Sequence, residues 1–361
     1  MDTTKVRRIP FENSLYQKHI IRKKLIIMIL FIATIVAFFL AINAGASNIK
    51  PKDVILAIFG LGDVKSISIV RNIRMPRVLS GILAGAGLSV AGCIMQNNLR
   101  NPLASPSTLG VSSAAAFGAN VAIILLGAGS IVSTGLGEIQ ISNPYIVTIC
   151  AMFFSLISTL LIITLAKIGF FSTQSIILAG ASLSALFSAG TMIIQYFSGD
   201  TTKVAAVIFW TFGDLGRTSW NEITIMSFLI IIAMAYFIFR RWDYNALDAG
   251  DGTAKSLGVN VEKTRLGGML IASIITSVTV SFLGIISFIG LICPQITKRL
   301  IGSDNRYLIP ASAIMGSLIL LVSDTLARTI IAPQILPVGA VTSFLGAPLF
   351  LYFLIKGDVN R

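Results

Sequence analysis

Charge is what this sequence has least of. Asp, Glu, Lys and Arg make up 12% of its 361 residues, where a soluble domain carries about a quarter. Acidic residues are the scarcer kind, 15 against 28 Lys and Arg, for a formal charge of +13. That balance, joined to high hydropathy, excludes an ordinary cytosolic enzyme and also excludes disorder. There is one histidine, His19, and there are three cysteines, Cys93, Cys150 and Cys293. The cysteines lie far apart in apolar stretches, so they offer neither a disulfide framework nor metal-ligand spacing and pack as small hydrophobes. No G-x-x-x-x-G-K-[ST] loop is present, so the chain carries no P-loop ATPase of its own. It also lacks a nucleophile–base constellation and a repeated selectivity-filter motif. The basic excess does not interleave with aromatics, which argues against a nucleic-acid surface. It suits loops that face anionic lipid.

Hydrophobicity is what the sequence has in abundance: 55% apolar residues and a mean hydropathy of +0.87. A helix crosses a bilayer with about 20 apolar residues. Apolar runs near 25–42, 78–97, 108–127, 144–166, 175–197, 221–239, 266–283, 285–301, 308–331 and 338–355 predict an all-α polytopic membrane protein with about ten transmembrane helices. The pair flanking Gly284 squeezes two crossings into little sequence. Val204 to Phe212 is too short to span and reads as a surface helix. The first run follows the basic stretch Lys18 to Lys24. Ala44-Gly45-Ala46 is a weak cleavage pattern and many crossings follow, so the run reads as a retained helix.

Residues 1–24 then form a cytoplasmic arm, 25–356 one transmembrane domain and 357–361 a cytoplasmic tail. With both termini inside, nineteen Lys and Arg fall on the cytoplasmic side and nine outside, as the positive-inside rule requires. Six of those nine lie within 50–77.

Four segments stand out. Arg74-Met75-Pro76-Arg77 opens the second crossing on its outer side, where arginines either snorkel or offer guanidinium forks to a partner's carboxylates. Gly81 to Gly87 places small residues four apart, a pattern that lets helix backbones approach closely in lipid. The cytoplasmic loop from Arg240 to Arg265 is long, and long loops between crossings usually contact something. Within it, Asp248 to Val259 reads as a short helix, a Gly turn and an extended exit. Asp324 and Arg328 lie one helical turn apart in the ninth crossing, where an ionisable residue is functional by default or pairs structurally. Beyond Asp324 the interior holds almost no carboxylates, poor equipment for proton or sodium coupling.

In order and spacing, several segments together resemble one family, the FecCD-type permease subunits of ABC importers for ferric siderophores, haem and vitamin B12. They are Arg74 to Arg77, Gly85 to Gln96, Asn101 to Pro106 with Leu109-Gly110-Val111, and Trp210 to Gly213. Ala254 to Val259, Phe288 to Leu291 before Pro294, Asp304-Asn305-Arg306, Leu336 to Gly339 and Gly346-Ala347-Pro348 complete the set. The match runs from about residue 50 to 356.

The resemblance implies a ten-helix, type II ABC importer permease in the cell membrane, paired with itself or with a similar second chain. It also implies a cytoplasmic ATPase dimer, which binds ATP and Mg2+, and an extracytoplasmic solute-binding protein. The permease itself has no cofactor, metal or catalytic residue. Carried over, Arg74, Arg77 and Arg328 are expected to dock the binding protein. The 243–265 loop is expected to couple to the ATPase through Gly250, Asp251, Ala254, Leu257 and Gly258. The sequence departs from the family's Pro-His at Pro294-Gln295, and glutamine hydrogen-bonds but does not titrate near neutrality. The family's Gly-Glu is Gly250-Asp251. Ferric siderophore is the expected substrate, with haem and cobalamin as alternatives. An ion-coupled secondary transporter and a purely structural subunit are the readings from other classes.

Overall fold

The computed structural model describes residues 10–45, 49–128, 143–168, 173–332 and 334–358. The chain begins with α1 (Pro10–Asn43) and two short helices, α2 (Pro51–Ile58) and α3 (Val64–Ile69). A π-helical turn, Val70–Arg74, joins α3 to α4 (Met75–Leu99), giving one rod of 36 residues. Next come α5 (Val111–Asn120) with a π-helical extension to Leu125, α6 (Pro144–Ile168), α7 (Thr173–Phe197) and α8 (Thr201–Thr211). A 3-10 turn at Leu215–Arg217 leads to α9 (Trp220–Phe239), α10 (Arg241–Asp248) and α11 (Asp251–Ser256). The last four are α12 (Val261–Leu283), α13 (Ile289–Ile301), α14 (Asn305–Thr329) and α15 (Val338–Asp358).

Each of the ten apolar runs becomes a helix, but not each becomes a full crossing. Among the described residues seven helices are long and apolar enough to span, and Val111–Leu125 and Val338–Tyr352 are shorter apolar pieces. The expected crossing at 285–301 is replaced by α13, whose 13 residues reach about 20 Å of a hydrocarbon core about 30 Å thick. The cause is a break that apolarity alone does not reveal. Gly284 at φ 78° and Phe288 at φ 67° are left-handed, so α12 stops and the chain runs irregularly to α13. Irregular backbone at membrane depth needs protein around it. The 210–214 segment supplies it: Asp214 N donates to Leu283 O at 2.8 Å, while Gly339 N donates to Phe212 O at 3.2 Å. The short surface helix expected near 204–212 is α8, with Ala206, Val207 and Trp210 buried.

No break marks residue 24, because α1 runs continuously from Pro10. Residues 1–9 of the expected arm and 359–361 of the expected tail lie outside the described residues.

The core is organised around α4, which packs against α9, α12, α13 and α14. Its small residues set the distance to α14. A Cβ built on Gly85 would stand 2.4 Å from the Gly316 carbonyl oxygen, and one on Gly316 would stand 2.1 Å from that of Gly85. Hydroxyls stitch the same seam: Ser89 Oγ donates to Ser312 O at 2.6 Å, and Ser317 Oγ to Ile82 O at 2.8 Å. Outer faces of α1, α7 and α9 instead expose Leu25, Met28, Leu186, Met192, Phe228 and Ile231. For a chain with this many apolar spans, such faces suit lipid or further subunits.

Helix α1 lies parallel along α14. Lys23 sits 5.4 Å above the Tyr307 ring near one end, while the carbonyls of Ala41 and Ala44 meet Arg328 at the other. The bundle therefore has a loop end, with α10, α11 and the start of α1, and an arginine end.

Candidate functional site

At the arginine end, Asp324 is a hub. It is wholly buried on α14 and accepts from Arg77 Nε and Nη2 at 3.0 and 2.9 Å and from Arg328 Nε at 2.9 Å. Arg77 also reaches Asp214 at 3.3 Å. Arg74 and Arg328 then perform a second task. The C-terminus of a helix leaves carbonyls without intrahelical donors and carries partial negative charge. Arg74 Nη1 donates to Ile42 O at 2.9 Å and Asn43 O at 3.1 Å. Arg328 donates to Ala41 O at 3.1 Å and to Ala44 O. Two arginines from other helices thus cap α1.

The three arginines expected to dock a partner are therefore brought together, but they do not stand on the surface. Arg74, Arg77 and Arg328 are 5%, 8% and 8% exposed, and their forks engage internal acceptors. Arg71, one turn before Arg74, is exposed and donates to Ile58 O at 3.0 Å. Arg217 donates to Trp210 O and Phe209 O at 3.1 and 2.8 Å, and burial lowers its pKa despite nearby Asp214.

At the loop end the five expected coupling residues divide. Asp251 opens α11 with its carboxylate part-exposed but held by two arginines: Arg265 Nη2 and Nη1 donate to its Oδ1 and Oδ2 at 2.8 and 3.0 Å, and Arg100 also reaches Oδ1. Arg100 also donates to Leu247 O at 2.7 Å. Ala254 is buried beneath the helix. Gly250 (φ 127°) and Gly258 (φ 79°) make the left-handed turns on either side of α11. Leu257, 67% exposed, and Gly258 form the outward tip with Lys255 and Ser256. Asp251 is thus a joint between α11, the end of α4 and α12, and its outward neighbours form the exposed face of α11.

A second joint holds α10 to α14. Asn245 Nδ2 donates to Asp304 Oδ1 at 3.0 Å, and Asn245 Oδ1 accepts from Asn305 N at 2.7 Å. Asp304 also holds Arg306 bidentately, at 3.0 and 2.7 Å. Burial opposes ionisation of Asp304, but hydrogen bonds from Arg306 and Asn245 outweigh it and hold the carboxyl below its ordinary value.

Between the joints lies a cavity of about 290 Å³ lined by Gln96, Arg100, Asp248, Gln295 and Lys298. Gln295 donates to Gln96 Oε1 at 2.7 Å, and Gln96 donates to Leu291 O at 2.9 Å. The residue that departs from the expected histidine thus ties α13 to α4 through neutral amides. Among the described residues no group of three His, Cys, Asp or Glu side chains is placed to hold a metal ion.

Sequence reasoning missed Arg100 and Arg265 as the partners of Asp251, and Arg77 as the partner of Asp324. A signal was present: charges this scarce in an apolar chain must find counter-charges.

Comparison with known proteins places this geometry. A profile of the FecCD transport family matches residues 33–356. MJ0087 of Methanocaldococcus jannaschii, named as an ABC transporter permease, is 52% identical over 96% of this chain and 98% of its own. The hemin transport permease HmuU of Yersinia pestis is 36% identical over 80% of this chain and 84% of its own. The iron(3+)-hydroxamate import permease FhuG of Bacillus subtilis is 33% identical over 93% and 98%. A solved inward-facing structure of a transporter described as of the metal-chelate type superposes with a TM-score of 0.77 at 25% identity, covering 92% of this chain and 99% of that one.

Proposed function

The chain belongs to the FecCD transport family, and we propose that it is the subunit through which an ATP-driven importer moves a ferric siderophore into the cell. As an ABC importer permease it is a non-catalytic, multi-pass membrane subunit that works with an ATPase and a solute-binding protein. On this reading the loop end is cytoplasmic, as are both termini. The outward face of α11, with Leu257 and Gly258 at its tip, meets the ATPase dimer. ATP and Mg2+ bind to that partner, and this chain holds no cofactor.

The arginine end faces outward and receives the binding protein. Across the described outer segments Lys50, Lys52, Lys65, Arg71, Arg74, Arg77, Lys203, Arg217 and Arg328 outnumber Asp53, Asp63, Asp200, Asp214, Glu222 and Asp324, so the field favours an acidic partner, speeds its approach and weakens with salt. The buried forks contribute through that field, and Arg71 offers the exposed edge. A second permease, identical or similar, covers the exposed apolar faces of α7 and α15, with the path between the two chains.

The observation that carries the mechanism is that α4 and α14 run between the two ends. The α4 rod carries Arg77 near its outer end and is followed directly by Arg100 at the other. Helix α14 begins at the Asp304 joint and carries Asp324 near its far end. ATP-driven closure that displaces α11 thus moves through the Asp251 and Asp304 joints into both helices, and tilts them to open the path alternately to each side.

A ferric siderophore is the first choice of cargo, supported by the likeness to FhuG and to the metal-chelate transporter. Haem is the second reading, favoured by HmuU; cobalamin is the third. The test is uptake into proteoliposomes holding the chain with its ATPase and binding protein. ATP-dependent accumulation of radioiron as a hydroxamate chelate is expected. Uptake of haem or cobalamin alone overturns the cargo. Uptake without ATP that collapses with an ionophore overturns the importer.

A further inference from the structure

The first turns of α1 hold Lys18, Arg22, Lys23 and Lys24. Lys18, Arg22 and Lys24 are exposed, and among the described residues no carboxylate forms an ion pair with any of the four. Lys23 is held over the Tyr307 ring. Next to Tyr307, Arg306 stacks 4.8 Å from the ring of Trp242, which is 56% exposed. Aromatic rings of this amphipathic kind settle at the headgroup level of a bilayer. Arg306 is matched by Asp304, so it adds no unpaired charge beside the cations of α1.

The same helix continues the pattern. Residues three and four apart share a helical face, and Lys18, Arg22, Leu25, Ile29, Ile32 and Val36 form one such line. A second line runs through Lys24, Met28, Phe31 and Ile35. Every apolar member of both lines is exposed. Cations at one end and a continuous apolar track beyond them match a phosphate headgroup followed by acyl chains. A soluble protein partner would cover the cations but has no means of covering a track set in hydrocarbon.

We propose that the start of α1 is a binding site for an anionic phospholipid of the leaflet at the loop end. Its phosphodiester lies on Lys18 and Arg22, one helical turn apart on the same face, and its chains lie along the Leu25–Val36 line. The inference rests on the membrane-spanning fold and is independent of the cargo.

The test is native mass spectrometry of the full chain, with the subunits that accompany it, in micelles holding equal amounts of phosphatidylglycerol and phosphatidylcholine. Wild type is expected to retain phosphatidylglycerol selectively, and the selectivity is expected to fall as salt rises. Each surface cation contributes roughly 1 kcal/mol and 1.4 kcal/mol is tenfold, so Lys18→Gln/Arg22→Gln is expected to cut the preference roughly thirtyfold, while Lys24→Gln, on another face of the helix, is expected to cost less. The charge-preserving Lys18→Arg/Arg22→Lys keeps it. If the neutral variant does not fold, the salt titration of wild type decides alone. Equal retention of the two lipids, a preference indifferent to salt, or an unchanged preference in the neutral variant overturns the site. Loss of the ATPase from that variant with lipid retention intact shows instead that the cations serve a protein contact.

Discussion

Replacing Asp324 with Asn keeps the shape of the arginine hub and removes its charge. Three charge-assisted hydrogen bonds, at 2.9 to 3.0 Å, end on this carboxylate. Without it, Arg77 and Arg328 remain buried with only Asp214 near, whose side chain is partly exposed. Removing one partner of a buried ion pair leaves an uncompensated charge and costs about 3–5 kcal/mol. In a chain this size that corresponds to a fall in melting temperature of about 4–7 °C. The damage should also spread in a specific direction. Arg328 caps α1 through Ala41 and Ala44, so loosening it frees the end of α1 before the rest of the bundle. The assay is thermal unfolding in lipid nanodiscs, paired with hydrogen exchange across residues 38–45. A fall of less than about 2 °C, in the range of an exposed ion pair, with α1 fully protected would refute the hub.

Three further outcomes follow from the same geometry. Asp251→Lys places a third cation between Arg100 and Arg265, so ATP hydrolysis by the assembled complex should persist while uptake is lost; normal uptake removes the coupling joint. Gly85→Ala forces a Cβ to within 2.4 Å of the Gly316 carbonyl, and overpacking of this kind costs about 1–3 kcal/mol; an unchanged melting temperature would mean the α4–α14 seam has room to open. Asp304 is held below its ordinary value, so it stabilises the α10–α14 joint above the usual carboxylate pKa of about 4, and that contribution is lost as pH falls through the depressed value. Emission of Trp242, with Trp210 and Trp220 replaced by Phe, should stay constant down to pH ~4 and change only below it; a transition at higher pH contradicts the joint.

Much of this architecture is legible from hydropathy, because a bilayer imposes a length on every spanning helix. All ten helical runs, the short α8 and the long 240–265 loop are found that way. The break at 284–288 is not, since a left-handed Phe288 leaves no trace in an apolar stretch and α13 looks like half of a longer span. The Asp324–Arg328 pair shows because it is local, one turn apart. Arg77 joins it across 247 residues, and Arg100 reaches Asp251 across 151, separations at which chain pattern carries no pairing information. The arginines illustrate the limit most clearly. Family likeness directs them outward to a partner, but capping of α1 depends on where that helix ends in space, and the structure draws the same forks inward.

The family relation and the geometry converge on a permease driven by a separate ATPase, and stoichiometry tests this most directly. The tagged chain should be captured from its native membranes in mild detergent, under crosslinking, and its partners quantified. The expected result is an ABC ATPase at about one per permease, as a symmetric assembly requires, together with an extracytoplasmic binding protein that can then be titrated with siderophores, haem and cobalamin. A clean preparation that holds no ATPase under crosslinking would contradict the importer and return the chain to a gradient-driven mechanism.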